Sequence, residues 1–162
     1  MAEMKPQLKE ALEFEKAGKK FFSESAQKAG DSLTRELYNY LAQMETKHME
    51  DILRISKELE EKGQFPEKVT LQDMTKPAEI FMEELRKLSG EEMVTEDEVT
   101  ALRHALNLEV KGREMYERFA REASDEKEST FYRLLATEEQ RHFDIIYQLL
   151  DYFESKGLRM GE

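Results

Sequence analysis

Apolar residues at Leu8, Ala11, Leu12, Phe22 and Ala26 keep the spacing of a helix with one inward stripe, and an acidic residue, Glu15, stands in the middle of that stripe. Between Glu3 and Gly63 the only proline is Pro6, so the pattern predicts an unbroken helix from about Lys5 to Ala29. Gly30-Asp31-Ser32 reads as a stop followed by a cap. Leu37, Leu41, Met44, His48, Ile52, Ile55 and Leu59 then resume the helical period as far as Lys62-Gly63, giving a second helix from about Ser32 to Lys62. A third helix, about Glu96 to Ala123, and a fourth, about Glu126 to Lys156, meet at an equivalent turn, Ser124-Asp125.

The second pair of helices repeats the first. Ala11-Leu12-x-x-Glu15 and Glu45-x-x-His48 recur, displaced by 94 positions, as Ala105-Leu106-x-x-Glu109 and Glu139-x-x-His142. The same register matches Gly18 with Gly112, Ala26 with Ala120, Asp31 with Asp125, Tyr38 with Tyr132, Leu41-Ala42 with Leu135-Ala136, and Lys62-Gly63 with Lys156-Gly157. The repeats span 5–63 and 99–157, and the 64–95 segment between them matches neither. That segment contains Pro66, Pro77 and one short amphipathic pattern, Pro77 to Leu88, with Ile80, Phe81, Leu85 and Leu88 on its apolar side. It is too long for a tight turn. We expect an all-α four-helix bundle of two repeated hairpins with one long crossover connection. The crossover should cap the bundle and let the third helix start at the end where the first helix starts.

Composition narrows the chemistry. A chain of 162 residues, 39% of them hydrophobic, fits a single domain over 1–162. The sequence has no Cys, which removes disulfides, thiolate catalysis, rubredoxin-type iron and iron–sulfur ligation together. Any metal must be held by oxygen and nitrogen. A net charge of −11 opposes binding to a phosphate backbone, so no nucleic-acid partner is expected. The charged N-terminus lacks an apolar signal core, and no run approaches the roughly 20 apolar residues of a membrane span. We expect a soluble, cytoplasmic protein.

Residues three apart on a helix share a face, so Glu45 can serve the same site as His48, and Glu139 the same site as His142. Glu15 lies 16 residues before Asp31 and Glu45 lies 14 after it, while Glu109 and Glu139 flank Asp125 at the same intervals. Folding the hairpins together would therefore bring four carboxylates and two imidazoles to one level. Four buried carboxylates without partners are costly, and two divalent cations would cancel their charge. Carboxylate oxygen with imidazole nitrogen suits iron or manganese. With 36 acidic residues in the chain a lone Glu-x-x-His is unremarkable; the matched register, the equal arms and the paired upstream Glu carry the signal. His104 has Ala101 three residues before it and no counterpart in the first repeat, so it is expected at the surface or at a helix start.

These residues resemble the ferritin-like di-iron carboxylate domain, and the short hairpin repeats with Glu-x-x-His are most similar to its rubrerythrin branch. The resemblance covers about Lys5 to Lys156 apart from the crossover. It implies that Glu15 and Glu109 are ligands from the first and third helices, Glu45 and Glu139 bridging or chelating ligands, and His48 and His142 nitrogen ligands to two iron ions. It also implies a functional place for Tyr116, which matches a tyrosine near the metals in many relatives and whose repeat partner is Phe22. Tyr38 and Tyr132, seven residues before Glu45 and Glu139, should point inward as hydrogen-bond donors to the ligands.

Two departures bear on activity. Peroxide-reducing rubrerythrins usually carry a rubredoxin domain, for which this sequence holds no Cys, and a further Glu after the third-helix ligand is replaced by Gly112, paired with Gly18. Mid-helix glycine costs roughly 1 kcal/mol relative to Ala. The pair implies either close helix contact, the reading favoured here, or space beside the metals for an oxygen or peroxide ligand. The implied function is a di-iron oxidoreductase that reduces hydrogen peroxide, or reacts with dioxygen, using electrons from a separate donor protein such as a rubredoxin. The alternative is a ferroxidase or an iron storage and delivery protein. A homodimer is expected through Ile145, Ile146, Leu149, Leu150 and Phe153, which spread over a wide arc of the last helix.

Overall fold

The computed structural model describes residues 3–72, 78–88 and 94–155. These residues form five helices and no strand: α1 (Pro6–Lys28), α2 (Ser32–Lys62), α3 (Ala78–Leu88), α4 (Glu96–Glu122) and α5 (Glu126–Ser155). Local chemistry sets their ends. Pro6 opens α1, where a missing N–H costs no helical bond. The Asp31 side chain accepts from the Thr34 N–H at 2.8 Å and caps α2, which closes on Gly63 at φ 71°. Thr95 and Glu98 form a reciprocal capping box at the start of α4.

The duplication extends to the backbone: α1 ends on Ala29 at φ −65°, ψ 129°, and α4 on its repeat partner Ala123 at φ −68°, ψ 131°. Both residues turn the chain in an extended conformation, and α2 and α5 begin immediately beyond. Lys156 and the match of Lys62-Gly63 with Lys156-Gly157 lie outside the described residues, as does Pro77.

Helix α1 packs along α2 and α4 along α5, the two pairs meet through α1 with α4 and α2 with α5, and α3 lies on α2 and α5. The direction of the crossover differs from expectation. Gly30, at the end of α1, donates its N–H to Glu98 at the start of α4, while Arg118 near the end of α4 pairs with Glu10 near the start of α1. The crossover thus returns the chain to the end where α1 finishes, and α4 runs antiparallel to α1. A direct link from α2 would have left α4 starting beside the start of α1, so the added length carries the chain the other way.

Helix α3 flanks the molecule rather than capping its end. It contributes Phe81, Met82 and Leu85 to the core beside Ile145, Ile146, Leu149, Leu150 and Phe153 of α5. Ile80, expected on its apolar side, is 50% exposed, and Met82 takes the inward place. The α5 strip expected to join two copies is thus buried within this chain.

Two apolar clusters fill the interior. One gathers Phe22, Leu37, Leu41, Met44, Leu102, Ile146 and Phe153; the other gathers Leu8, Leu12, Ile52, Ile55, Tyr116, Phe131 and Leu135. In all four long helices, the residues between the two clusters are the acidic and imidazole positions singled out from the sequence.

Candidate metal centre

Each long helix places its ligand candidates in the band between the apolar clusters: Glu15 from α1, Glu45 and His48 from α2, Glu109 from α4, Glu139 and His142 from α5. None is more than 2% exposed. His48 Nδ1 stands 3.5 Å from Glu15 Oε2 and 3.7 Å from Glu139 Oε1. His142 Nδ1 stands 3.8 Å from Glu45 Oε1 and 3.7 Å from Glu109 Oε2. Each imidazole therefore faces one carboxylate of its own helical pair and one of the other. The two rings lie nearly parallel, 12° apart, with centroids 5.5 Å from each other.

Two sets of side chains could each hold an ion: Glu15, Glu45, His48 and Glu139, and Glu45, Glu109, Glu139 and His142, with ligand atoms in each set within 4.8 Å of one another. Glu45 and Glu139 belong to both sets. The donors are poorly served by protein partners. Glu15 Oε2, Glu45 Oε2, Glu109 Oε2, Glu139 Oε1 and both ring nitrogens of His48 and His142 are buried without a hydrogen bond among the described residues. Orphaned buried donors and acceptors are costly, and the separations of 3.5–3.8 Å are too long for good hydrogen bonds. A cation set among them would use these lone pairs, so the donor set fits a divalent metal.

The metal-free electrostatics are correspondingly strained. Burial, reinforced by the charges of Glu109 and Glu15, holds the Glu139 carboxyl well above the usual carboxylate range. Burial pushes the His48 pKa down, but Glu15, with help from Glu138 and Glu109, outweighs it and leaves the imidazole above its ordinary value. The Glu139 carboxyl therefore retains a proton that a cation would displace.

Tyr116 is fully buried on α4 and reaches across to α1, where its hydroxyl donates to Glu15 Oε1 at 2.6 Å. Burial first, then Glu15 and Glu139, hold its phenol well above the ordinary value, so it remains a donor at neutral pH. Tyr38 and Tyr132 are buried as expected, yet neither contacts a ligand. Seven residues are about 10 Å along a helix. At that remove Tyr132 donates to Glu128 at 3.3 Å, and the Tyr38 hydroxyl has no hydrogen-bond partner among the described residues.

The glycines face carboxylates rather than a neighbouring backbone. A Cβ at Gly18 would lie 3.4 Å from Glu45 Cδ, and one at Gly112 would lie 2.8 Å from Phe14 Cε1 and 3.1 Å from Glu139 Oε2. At Gly112 close helix contact is part of the reason, since Phe14 of α1 takes the place a Cβ would fill; Gly18 leaves space beside Glu45. A cavity of about 240 Å³ between α1 and α4 touches Gly18, Glu45, Glu109 and Glu139 and is otherwise lined chiefly by Phe14, Phe21, Phe22 and Leu108. His104 stands at this cavity, exposed and with its ring 5.0 Å from that of Phe21, and belongs to neither set of ligand candidates.

Three further buried carboxylates escaped the sequence reading. Glu138 accepts from Arg141, Asp51 from Arg54 and from the Gln72 N–H, and Glu128 from Lys5 and Tyr132. Inward spacing gave the available signal: Glu128 lies four residues before the inward Tyr132.

No protein-family model, curated protein or solved structure matches the chain. Among the described residues no helix is long and apolar enough to cross a membrane. Fold and site together define an all-helical protein whose buried Glu and His side chains could hold metal.

Proposed function

We propose that this chain is a ferritin-like di-iron carboxylate protein of the rubrerythrin type, and that it reduces hydrogen peroxide with electrons from a separate donor such as a rubredoxin. The observation that supports this most is the sharing of Glu45 and Glu139 between two four-residue ligand sets. A shared pair of carboxylates is what holds two cations close together. Glu15 and His48 complete one set, Glu109 and His142 the other. Four carboxylates offset the charge of two divalent ions, and manganese fits the same donors as iron.

Two irons held there would supply the redox chemistry for cleaving the O–O bond. The chain's own residues prepare the surroundings. Tyr116 fixes the orientation of Glu15 through its 2.6 Å bond and keeps a proton beside the site. The apolar clusters on either side exclude water, and the cavity between α1 and α4 gives a small oxidant room to reach Glu45, Glu109 and Glu139. With no Cys in the sequence, the electrons must come from a centre outside it.

Anaerobic loading with ferrous iron, followed by mixing with hydrogen peroxide or dioxygen, tests the reading. Two irons per chain and faster oxidation by peroxide are expected. Preference for dioxygen with continued iron uptake would replace it by the ferroxidase and storage reading. Glu45→Ala should abolish binding of both ions, whereas Glu15→Ala should spare one; undiminished stoichiometry in Glu45→Ala would refute the ligand assignment.

A further inference from the structure

The cavity of about 240 Å³ between α1 and α4 ends on Glu45, Glu109 and Glu139, and its walls are apolar. Phe22 is buried, Phe14, Phe21 and Leu108 are half-buried, and Ala17 and His104 are exposed, so the cavity opens to solvent at the last two. The Phe21 ring packs edge-on against Phe22 at 5.4 Å and lies tilted against His104 at 5.0 Å, which fixes the outer wall. Gly18 keeps the floor clear: the first atoms a Cβ there would meet belong to Glu45, at 3.4 Å.

The duplication supplies an internal comparison. The same two helices form a second groove, whose lining includes Glu10, Phe14, Lys111, Glu114, Met115 and Arg118. Positions that line the first cavity have their repeat partners there, displaced by 94: Ala17 matches Lys111, Phe21 matches Met115, His104 matches Glu10 and Leu108 matches Phe14. No ligand candidate lines this second groove, and Phe14 lies over Gly112, 2.8 Å from where a Cβ would stand. Helices α1 and α4 thus pack with charged side chains and a plug on one side. Packing alone therefore does not explain the apolar walls and open floor on the other.

We propose that this cavity binds the apolar group of an organic hydroperoxide, R–O–OH, with its –O–OH end toward Glu45, Glu109 and Glu139. The inference rests on the peroxide reading above and extends it from hydrogen peroxide to a bulkier class. Hydrogen peroxide gains nothing from phenylalanine walls, whereas a hydrocarbon group leaves water on entering them. An apolar cavity of about 150 Å³ takes up benzene. The larger volume here has room for a phenyl group with a short branched carbon beside it. Reduction breaks the O–O bond: two electrons from two ferrous ions, which become ferric, and two protons from solvent give R–OH and water. Two electrons from the separate donor return the irons to the ferrous state.

The test uses the full chain, with cumene hydroperoxide as substrate and cumyl alcohol, the product of its reduction, as the binding probe. Calorimetry should show one cumyl alcohol per chain, in the metal-free protein and in the ferrous-loaded protein without oxygen, with a negative heat-capacity change. Leu108→Phe copies the plug that Phe14 makes over Gly112, and Ala17→Phe closes the mouth at an exposed position that leaves the core untouched. Each should weaken that binding by about tenfold or more. With two irons bound, each should also lower the rate of iron oxidation by cumene hydroperoxide, relative to that by hydrogen peroxide, by about tenfold or more. Lys111→Ala, in the second groove, should leave binding and rate ratio at parent values. No binding to the metal-free parent, or equal binding by the parent and both variants, would overturn the cavity site and leave the metal reading standing. A parent that takes up two irons and binds the alcohol, but whose rate ratio neither variant moves, would overturn organic hydroperoxide as the substrate class. A parent that binds the alcohol yet takes up no iron would overturn the peroxide reading and the substrate class together.

Discussion

Glu139 shows what it costs to assemble this centre without a cation. Its carboxyl is held well above the usual range and the His48 imidazole above its own, so both keep a proton in the folded chain at pH values where the unfolded chain has released it. Their protonated forms therefore favour the fold at acid pH, and that contribution is lost as pH rises through the raised values. Between about pH 5 and pH 8 the metal-free chain should melt at progressively lower temperature. Metal loading should reverse the trend, since protons then compete with the cation. Thermal melts at a series of pH values, with and without metal, check the sign. The two glycines separate in the same way. Gly18→Ala meets Glu45 at ordinary contact distance and should gain about 0.5–1 kcal/mol of helix stability. Gly112→Ala presses on Phe14 and Glu139 Oε2, so it should lose that gain and weaken metal binding; calorimetric titration of both variants would show whether the asymmetry exists.

Helix ends were legible because capping is local. Asp31 gives its cap to Thr34, and Gly63 takes the left-handed conformation that glycine tolerates. Asp31→Ala should cost about 1 kcal/mol in urea unfolding; no loss would mean that the turn, not the cap, fixes the start of α2. The six Glu and His positions that gather in the buried band were equally legible, since a period of three and a displacement of 94 need no tertiary information. What escaped depended on neighbours. Tyr38 and Tyr132 point inward as their period demands, but distance along the helix keeps them from the ligands. Met82 rather than Ile80 is buried because the face α3 turns inward is set by its contacts with α2 and α5, which its own pattern does not encode. The α5 strip looked like an outer face only while nothing was known to cover it, and α3 covers it.

At the scale of the molecule, a polar band separates two apolar clusters, and each potential ion touches three of the four long helices. A cation bound there acts as a cross-link. Ferrous iron or manganese at 100 times its dissociation constant should stabilise the chain by about 2.7 kcal/mol, and a chelator should remove the gain. An unchanged melting temperature would mean that the band is structural only. Among the described residues the exposed large apolar side chains are Leu53, Ile80 and Tyr147, one each from α2, α3 and α5.

The sharing of Glu45 and Glu139 between the two ligand sets has a consequence for ancestry and design alike. Neither half of the chain holds a complete set, so a free half would be incomplete until it met a copy of itself. Two identical halves in such a pair can change only in step: every substitution appears on both sides of the centre. Tethering them in one polypeptide lifts that restriction. Tyr116 opposite Phe22, Glu128 opposite Thr34 and Lys5 opposite Val99 are differences that a pair of identical halves could not carry, and all three lie on the side of the centre where Tyr116 meets Glu15.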